Sequence, residues 1–332
     1  MTQRLLDLID GFAGLRVAVF GDLIVDEFIY GEIARVSREA PVLILNYDST
    51  ELVPGGAGNA ANNVAALGGR PAIVGVVGRD GPGQRLLDTL ADRADVRGVA
   101  RPAGHVTPTK TRILAGGIHS AKQQVVRIDR TAPSVLSDAD RRTIASRLLK
   151  ACDRCDAMLV SDYGTGLVLP TLVAATTAHL RDRQAPVLVD SRYALLSFRG
   201  MTTCTPNESE VEQLFGIRIG ENARILERAG RQLLKQTRAQ AVLITRGSRG
   251  MALFERGRKT VHIPIHGSDQ IADVTGAGDT VIATMTLALA AGATFEEASR
   301  LANYAGGLVV MKRGTATVSG DELRSAVVAH AG

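Results

Sequence analysis

The chain has no tryptophan, and aromatic residues make up only 4% of its 332 positions. Its core must therefore be built from Ala, Val, Leu and Ile, which an apolar share of 45% supplies. That share also excludes a disordered chain. Cysteine is scarce: Cys152, Cys155 and Cys204 are the complete set. An odd count at this length excludes a disulfide-stapled scaffold and fits a reduced, cytoplasmic setting. Cys152-x-x-Cys155 has the spacing of half a zinc site, but no second Cys/His pair follows it. No apolar run is long enough to span a bilayer. The longest, 281–293, is followed by Thr-Phe-Glu-Glu and predicts a buried core helix. The opening MTQRLLDLIDGF lacks the apolar centre of a signal peptide. Positive charge is in slight excess, 39 Lys+Arg against 34 Asp+Glu, for a net +5. No basic run concentrates that excess and no aromatics interleave with it, which reads against nucleic-acid and membrane partners.

What is present is a repeated alternation. Short apolar runs at 16–20, 72–77, 157–161, 186–190 and 241–245 each end in a polar residue, with helix-like segments between them. Continuous apolar runs of this length are typical of parallel strands covered on both faces. The pattern predicts a three-layer α/β/α sandwich with a mainly parallel central sheet, and no linker or repeat divides the 332 residues. Two stretches differ. Residues 27–47 and 108–129 alternate apolar and polar residues without an intervening helix, as in Val125-Val-Arg-Ile-Asp129. They predict antiparallel strands of a small accessory sheet, drawn from about 27–50 and 105–130. Ligands in open α/β sheets bind beyond the carboxyl ends of the strands, where such a sheet would act as a lid.

Two glycine motifs carry the chemistry. Asp273-Val-Thr-Gly-Ala-Gly-Asp279 precedes an apolar helix. Gly276, Ala277 and Gly278 would present backbone N–H groups at a helix N-terminus, a ready site for phosphate. A carboxylate beside an anion site repels the anion unless it does something else. Asp279 is either the base that takes a proton from an attacking hydroxyl or a first-turn acid stabilised by the helix dipole. Pro54-Gly-Gly-Ala-Gly-Asn59 is the second motif. Gly55 and Gly56 allow a tight backbone path beside a ligand, and Asn59 both donates and accepts, as sugar hydroxyls require. Gly56-x-Gly58-x-x-Ala61 also satisfies a dinucleotide fingerprint, with Asp80 as its ribose acid, but Pro54 is misplaced for the strand that should precede it.

Together, in this order and separation, the two motifs resemble the ribokinase, or PfkB, family of carbohydrate kinases, and the resemblance runs nearly end to end. Thr284 stands where that family generally has Ala or Gly. The resemblance implies a ribokinase-like sandwich with a β lid, ATP with Mg²⁺, and phosphoryl transfer to a sugar hydroxyl. It makes Asp279 the base and the Gly276–Gly278 amides the stabilisers of the transferring group. Asp26, in Gly21-Asp-Leu-Ile-Val-Asp26, would grip the sugar. Asn207 and Glu210 would arrange Mg²⁺ through water. Thr245, Gly247 and Gly250 would form a nucleotide-binding turn, with Asn303 near the adenine. Read alone, Asn207-Glu-Ser-Glu210 is equally a helix start with acids in its first turn. The family also suggests K⁺ beside the anion loop and a homodimer formed through the lids.

Within the family, Arg35-Val-Ser-Arg-Glu-Ala-Pro-Val42, Gln123–129, Ser161-Asp-Tyr-Gly164 and Gly314-Thr-Ala-Thr-Val318 resemble the heptose 7-phosphate kinases, which phosphorylate the anomeric hydroxyl of D-glycero-D-manno-heptose 7-phosphate. Arg35, Lys110, Arg112 and Arg127 are then candidates for an acidic substrate or for crossing the lid. No His-x-Gly-His follows, so a stand-alone kinase is expected. Three positions depart from that group. Thr165 replaces a lysine, Asp190-Ser-Arg192 replaces Asp-Pro-Lys, and 116–121 looks like an extra lid loop. Arg and Lys are not equivalent at a phosphate site. The competing expectations are a kinase of the same family for another sugar or a nucleoside, or a catalytically weak sugar- or nucleotide-binding homologue.

Overall fold

In the computed structural model, the described residues are 1–116, 122–131, 136–267, 273–312 and 314–330. Twelve strands are present among them: β1 Arg16–Gly21, β2 Leu23–Val36, β3 Leu43–Gly56, β4 Arg70–Val74, β5 Thr109–Gly116, β6 Gln123–Arg130, β7 Ala157–Asp162, β8 Val187–Ser191, β9 Thr203–Cys204, β10 Ala241–Thr245, β11 Met251–Glu255 and β12 Val261–Ile263. Eight form one sheet in the order β12-β11-β10-β9-β8-β7-β1-β4, and four form a second in the order β3-β2-β5-β6.

The large sheet is parallel from β10 through β4 and turns antiparallel only at its β10-β11-β12 edge. Its strands are buried on both faces, and the pleat divides their side chains between two cores. Val17, Val19, Leu159, Leu188 and Leu243 pack with the helices Ala57–Ala66, Ala277–Ala290 and Phe295–Val309. Ala18, Phe20, Met158, Val160, Val189 and Val242 pack on the other side with Asp138–Cys152, Pro170–Arg181 and Ala223–Thr237. Each fully buried Val, Leu or Phe contributes about 1.5–3 kcal/mol. The expected sandwich is therefore present. The 281–293 run lies mostly in helix Ala277–Ala290, whose residues 279–288 are all buried.

Three expectations need correction. The small sheet is not wholly antiparallel: β2 pairs antiparallel with β3 but parallel with β5. Its long strands also run further, back to Leu23 and on to Gly56, so the Gly55-Gly56 turn is itself a strand end. The dinucleotide fingerprint fails because the strand entering Gly56 belongs to this small sheet. Asp80 instead caps helix Gly81–Ala91 through Gly83 N–H at 2.9 Å and accepts from Thr107 Oγ1 at 2.6 Å. Pro54 fits because β3 is an edge strand. Cys152 and Cys155 are buried packing residues, with Cys155 Sγ 3.5 Å from Cys152 O. The loop expected at 116–121 lies, beyond Gly116, outside the described residues. Among the described residues, no helix is long and apolar enough to cross a membrane.

Candidate active site

Three neighbouring parallel strands, β1, β7 and β8, carry carboxylates at their ends: Asp22, Asp162 and Asp190. Asp22, just past β1, is buried and accepts from Tyr163 N–H at 2.8 Å, Thr165 N–H at 3.3 Å and Thr165 Oγ1 at 2.5 Å. Asp162, the last residue of β7, accepts from Ser191 Oγ at 2.6 Å and Gly164 N–H at 3.0 Å. The loop carrying Tyr163 is thus fastened from both sides. Burial raises the Asp22 pKa while its bonds to Thr165 and Tyr163 oppose the rise. At position 165 this chain sets a hydroxyl, not an ammonium, against that carboxyl. Two of the residues that depart from the heptose-kinase pattern, Thr165 and Ser191, are absorbed as hydrogen bonds to these strand-end carboxylates.

Across the sheet, helix Ala277–Ala290 begins behind Gly276, whose φ of 79° is left-handed. A Cβ there would lie 2.6 Å from Asn59 Nδ2 and 3.2 Å from Thr315 Cγ2, so only glycine allows this approach. The Ala277 N–H makes a 3.3 Å turn bond to Val274 O. A Cβ on Gly278 would meet nothing within 4 Å, so the helix N-terminus opens onto free space. Asp279 sits in the first turn, buried, with Asn59 Nδ2 donating to its Oδ2 at 2.7 Å. Its Oδ1 is buried with no hydrogen-bond partner. Asn63 donates to Asn59 O at 3.0 Å and accepts from Thr280 Oγ1 at 2.8 Å, locking the two glycine-led helices together. Burial lifts the Asp279 pKa to about 7. The charge on Asp26 adds to the rise, while Asn59, Lys110 and the nearby Tyr163 hydroxyl oppose it. A group poised near neutrality is suited to accept a proton.

On the small-sheet side, Asp26 is buried and paired with Arg112 Nη1 at 2.5 Å. A Cβ on Gly55 would collide with the Asp26 carboxylate, so Gly55 leaves that group room. Lys110 Nζ stands 4.5 Å from the centroid of the Tyr163 ring and the Arg192 guanidinium 5.9 Å from it. Burial lowers the Lys110 pKa and Asp26 opposes that shift. Lys110, Arg192, Asp26 and Asp279 thus share one electrostatic neighbourhood around Tyr163. Arg127 is engaged elsewhere, in a bidentate pair with Asp129 at 2.7 Å for both bonds, and Arg35 is exposed on β2.

On the other side, Asn207 and Glu210 form a reciprocal capping box, each backbone N–H bonded to the other's side chain at 2.9 Å. The helix-start reading of this motif is therefore structurally real, and it fixes both side chains next to β10. Thr245 pairs with Asn207, and the turn Gly247–Arg249 follows. Buried Glu208 ties that turn down through Arg246 at 2.7 Å and through Arg249. Asn303 donates to Pro264 O at 2.9 Å from helix Phe295–Val309.

Asp190, at the end of β8, is a residue the sequence did not single out as functional. Its pKa is raised well above the usual range, first by burial and then by the charges of Glu210 and Asp279, with Arg192 opposing. Asn63, Tyr163 and Asp22 were also missed. Asn63 had a signal, because it lies one helical turn after Asn59 in an alanine-rich helix. Tyr163 lay within the Ser161-Asp-Tyr-Gly164 motif, but its place beside Lys110 was hidden, because only tertiary folding brings β5 and the loop after β7 together. Among the described residues, no three His, Cys, Asp or Glu side chains could hold a metal ion by themselves. Asp190, Glu210 and Asp279 nonetheless raise the local negative charge together. That donor set suits Mg²⁺ carried on phosphate oxygens and water rather than in a protein cage.

An α/β sandwich with a small second sheet, an open glycine-led helix N-terminus and a poised carboxylate beside it point to a class: phosphotransferases acting on sugar hydroxyls. Residues 15–321 match the family described as pfkB family carbohydrate kinase, and the chain belongs to that family. The bifunctional protein HldE of Geobacter sulfurreducens is 41% identical over 328 residues, covering 97% of this chain and 65% of that protein. The HldE of Geobacter metallireducens is 42% identical over 93% of this chain and 62% of its own length. The chain thus spans a little under two thirds of the curated relatives it matches. Arabidopsis thaliana ribokinase, solved with ribose and ATP, superposes with a TM-score of 0.70 at 21% identity, covering 95% of this chain and 99% of its own. Escherichia coli phosphofructokinase-2, solved with potassium, gives 0.73 at 18% identity, covering 96% of this chain and all of its own. These two likenesses establish the fold.

Proposed function

We propose that this protein transfers the γ-phosphoryl group of MgATP to a sugar hydroxyl, with the anomeric hydroxyl of D-glycero-D-manno-heptose 7-phosphate or a related sugar phosphate as acceptor. The observation that carries the reading is the Asp279 carboxyl: buried at the mouth of a glycine-led helix, one oxygen held by Asn59, the other unpartnered, its pKa raised to about 7. The heptose assignment draws on the motif resemblance, and the HldE relatives support it. Asp279 takes the hydroxyl proton as the new O–P bond forms. The Gly276 and Gly278 amides face the charge that develops on the phosphoryl group, while the Ala277 N–H, expected to join them, is turned to Val274 O. Asp26, Gly55, Gly56 and Asn59 hold the sugar. Arg112 orients Asp26, while Lys110 faces an acidic acceptor together with Arg192. Arg127, paired with Asp129, is a further candidate for an acidic acceptor. Asn207 and Glu210 would hold Mg²⁺ through water. Thr245, Gly247, Gly250 and Asn303 shape the nucleotide side. Mg²⁺, when bound, neutralises phosphate charge.

Residues 1–332 are read as one ribokinase-like kinase unit, with the four-stranded sheet as its lid. Ile33, Val36, Leu43, Tyr47, Val126 and Ile128 leave apolar side chains exposed on that sheet, which supports a homodimer through the lids. A cytoplasmic location and a K⁺ requirement belong to the same proposal. The test is an acceptor screen with MgATP, with and without K⁺. It compares heptose 7-phosphates, pentoses, hexoses, hexose phosphates and nucleosides, and phosphorus NMR identifies the product. A 1-phosphate formed most efficiently from the heptose 7-phosphate is expected. A strong preference for an unphosphorylated sugar would reject the acceptor, and no ATP consumption with any sugar would reject the kinase.

A further inference from the structure

The far end of the sheet holds a feature that phosphoryl transfer does not use. A cavity of about 750 Å³ opens where β1 and β4 begin, under the β4 edge. Val17, Pro71, Ile73, Ala94 and Ala151 give it apolar walls. Arg70, Arg93, Arg147, Lys150 and Arg154 also line it. Two further lining cations are neutralised, Arg16 by Asp156 at 3.1 Å and Arg97 by Asp95 at 2.6 Å. Asp95 is the one acid among the lining residues. Arg147 donates to Val99 O at 2.8 Å, and Arg93 reaches Asn62 Oδ1 at 3.4 Å. The side chains of Arg70, Lys150 and Arg154 make no ion pair or hydrogen bond among the described residues. Five cations without an ion-pair partner thus line one cavity whose single acid, Asp95, is taken by Arg97, and a ligand of opposite charge would relieve their mutual repulsion. The active-site residues follow the other end of β1, roughly 17 Å away at about 3.3 Å per residue.

We infer that this cavity binds a small phosphorylated ligand carrying a diphosphate and an apolar or planar body, of the nucleoside diphosphate class, at a site separate from the catalytic one. Its volume lies in the range of small-molecule sites, about 300–1,000 Å³. Guanidinium groups suit phosphate oxygens because their fork matches paired acceptors. The apolar strip along β4 and helix Asp138–Cys152 gives a base or hydrocarbon somewhere to lie. A fully hydrated inorganic anion would leave that strip unused.

The test is photolabelling with 8-azido-ADP followed by peptide mapping, paired with calorimetric titration of ADP and of inorganic pyrophosphate. Label is expected in the peptides spanning 91–98 or 147–155, separately from any label near the anion loop, and excess ADP should suppress it. The double variant Arg70→Ser/Arg154→Ser should lose the cavity label and weaken that site about tenfold or more per guanidinium. Both side chains are exposed and unbonded, so the variant should fold, and any active-site labelling serves as its control. ADP should bind the cavity at least about tenfold more tightly than pyrophosphate, the gain coming from the apolar strip. Wild-type protein unlabelled in these peptides, or labelling that survives in the variant, overturns the site. Equal affinity for ADP and pyrophosphate overturns the assignment of its ligand class. None of these outcomes depends on sugar phosphorylation.

Discussion

Asp279→Asn separates the chemistry of this carboxyl from its cost to the fold. Asn59 Nδ2 can still donate to the new amide oxygen, so the 2.7 Å contact is retained. The amide nitrogen then occupies the place of Oδ1, which has no partner to lose. In the folded protein the carboxyl keeps its proton up to about pH 7, against an ordinary aspartate value of 3.8. The folded state therefore binds more protons than the unfolded chain between those values, and stability falls as pH rises through that window. At 1.36 kcal/mol per pH unit, the penalty at pH 8 is about 4 kcal/mol, and below pH 3.8 it vanishes. Asp279→Asn should therefore be stabilised over wild type at pH 8 by up to about 4 kcal/mol, with the gain shrinking toward pH 5. Turnover should drop about 10²–10⁴-fold while ATP binding stays near normal. Urea denaturation at pH 5 and 8, with MgATP turnover on the same samples, measures both. Near-normal turnover would refute Asp279 as the base. A stability gain independent of pH would refute the account of its burial.

Gly276→Ala forces a Cβ into the left-handed region and against Asn59 Nδ2, so it should cost at least about 1–2 kcal/mol in denaturation and displace the Asn59–Asp279 contact, with turnover falling as well. Arg112→Met strands the buried Asp26 carboxylate; a loss of about 3–5 kcal/mol near neutral pH is expected, and a thermal melt showing no loss would rule out a structural need for the pair. Val126→Glu with Ile128→Glu places charge on the exposed apolar face of the small sheet and should shift the protein to monomer in sedimentation, whereas an unchanged sedimentation coefficient would exclude that face as the dimer contact.

The sequence by itself determined the layers and the two glycine turns. Continuous apolar runs such as 157–161 and 241–245, short and alternating with helix-like segments, are typical of parallel strands covered on both faces. The Gly-Ala-Gly before an apolar helix already pointed to a candidate anion site, because glycine's freedom and a helix's unpaired amides are local properties. The small sheet was legible from its alternation, but its parallel β2–β5 pairing was not, since pairing direction depends on how distant segments meet. Asn207 and Glu210 show the same limit: spacing gave the capping box, while their place beside β10 came from the fold. Only the tertiary structure decided that Asn59 holds Asp279 across 220 positions of chain. It alone set Lys110 and Arg192 near Tyr163, brought Asp190 within reach of the charges of Glu210 and Asp279, and gathered five cations without ion-pair partners at the opposite end of the sheet. Burial and charge proximity are sums over neighbours from many elements, and those neighbours have no fixed spacing along the sequence.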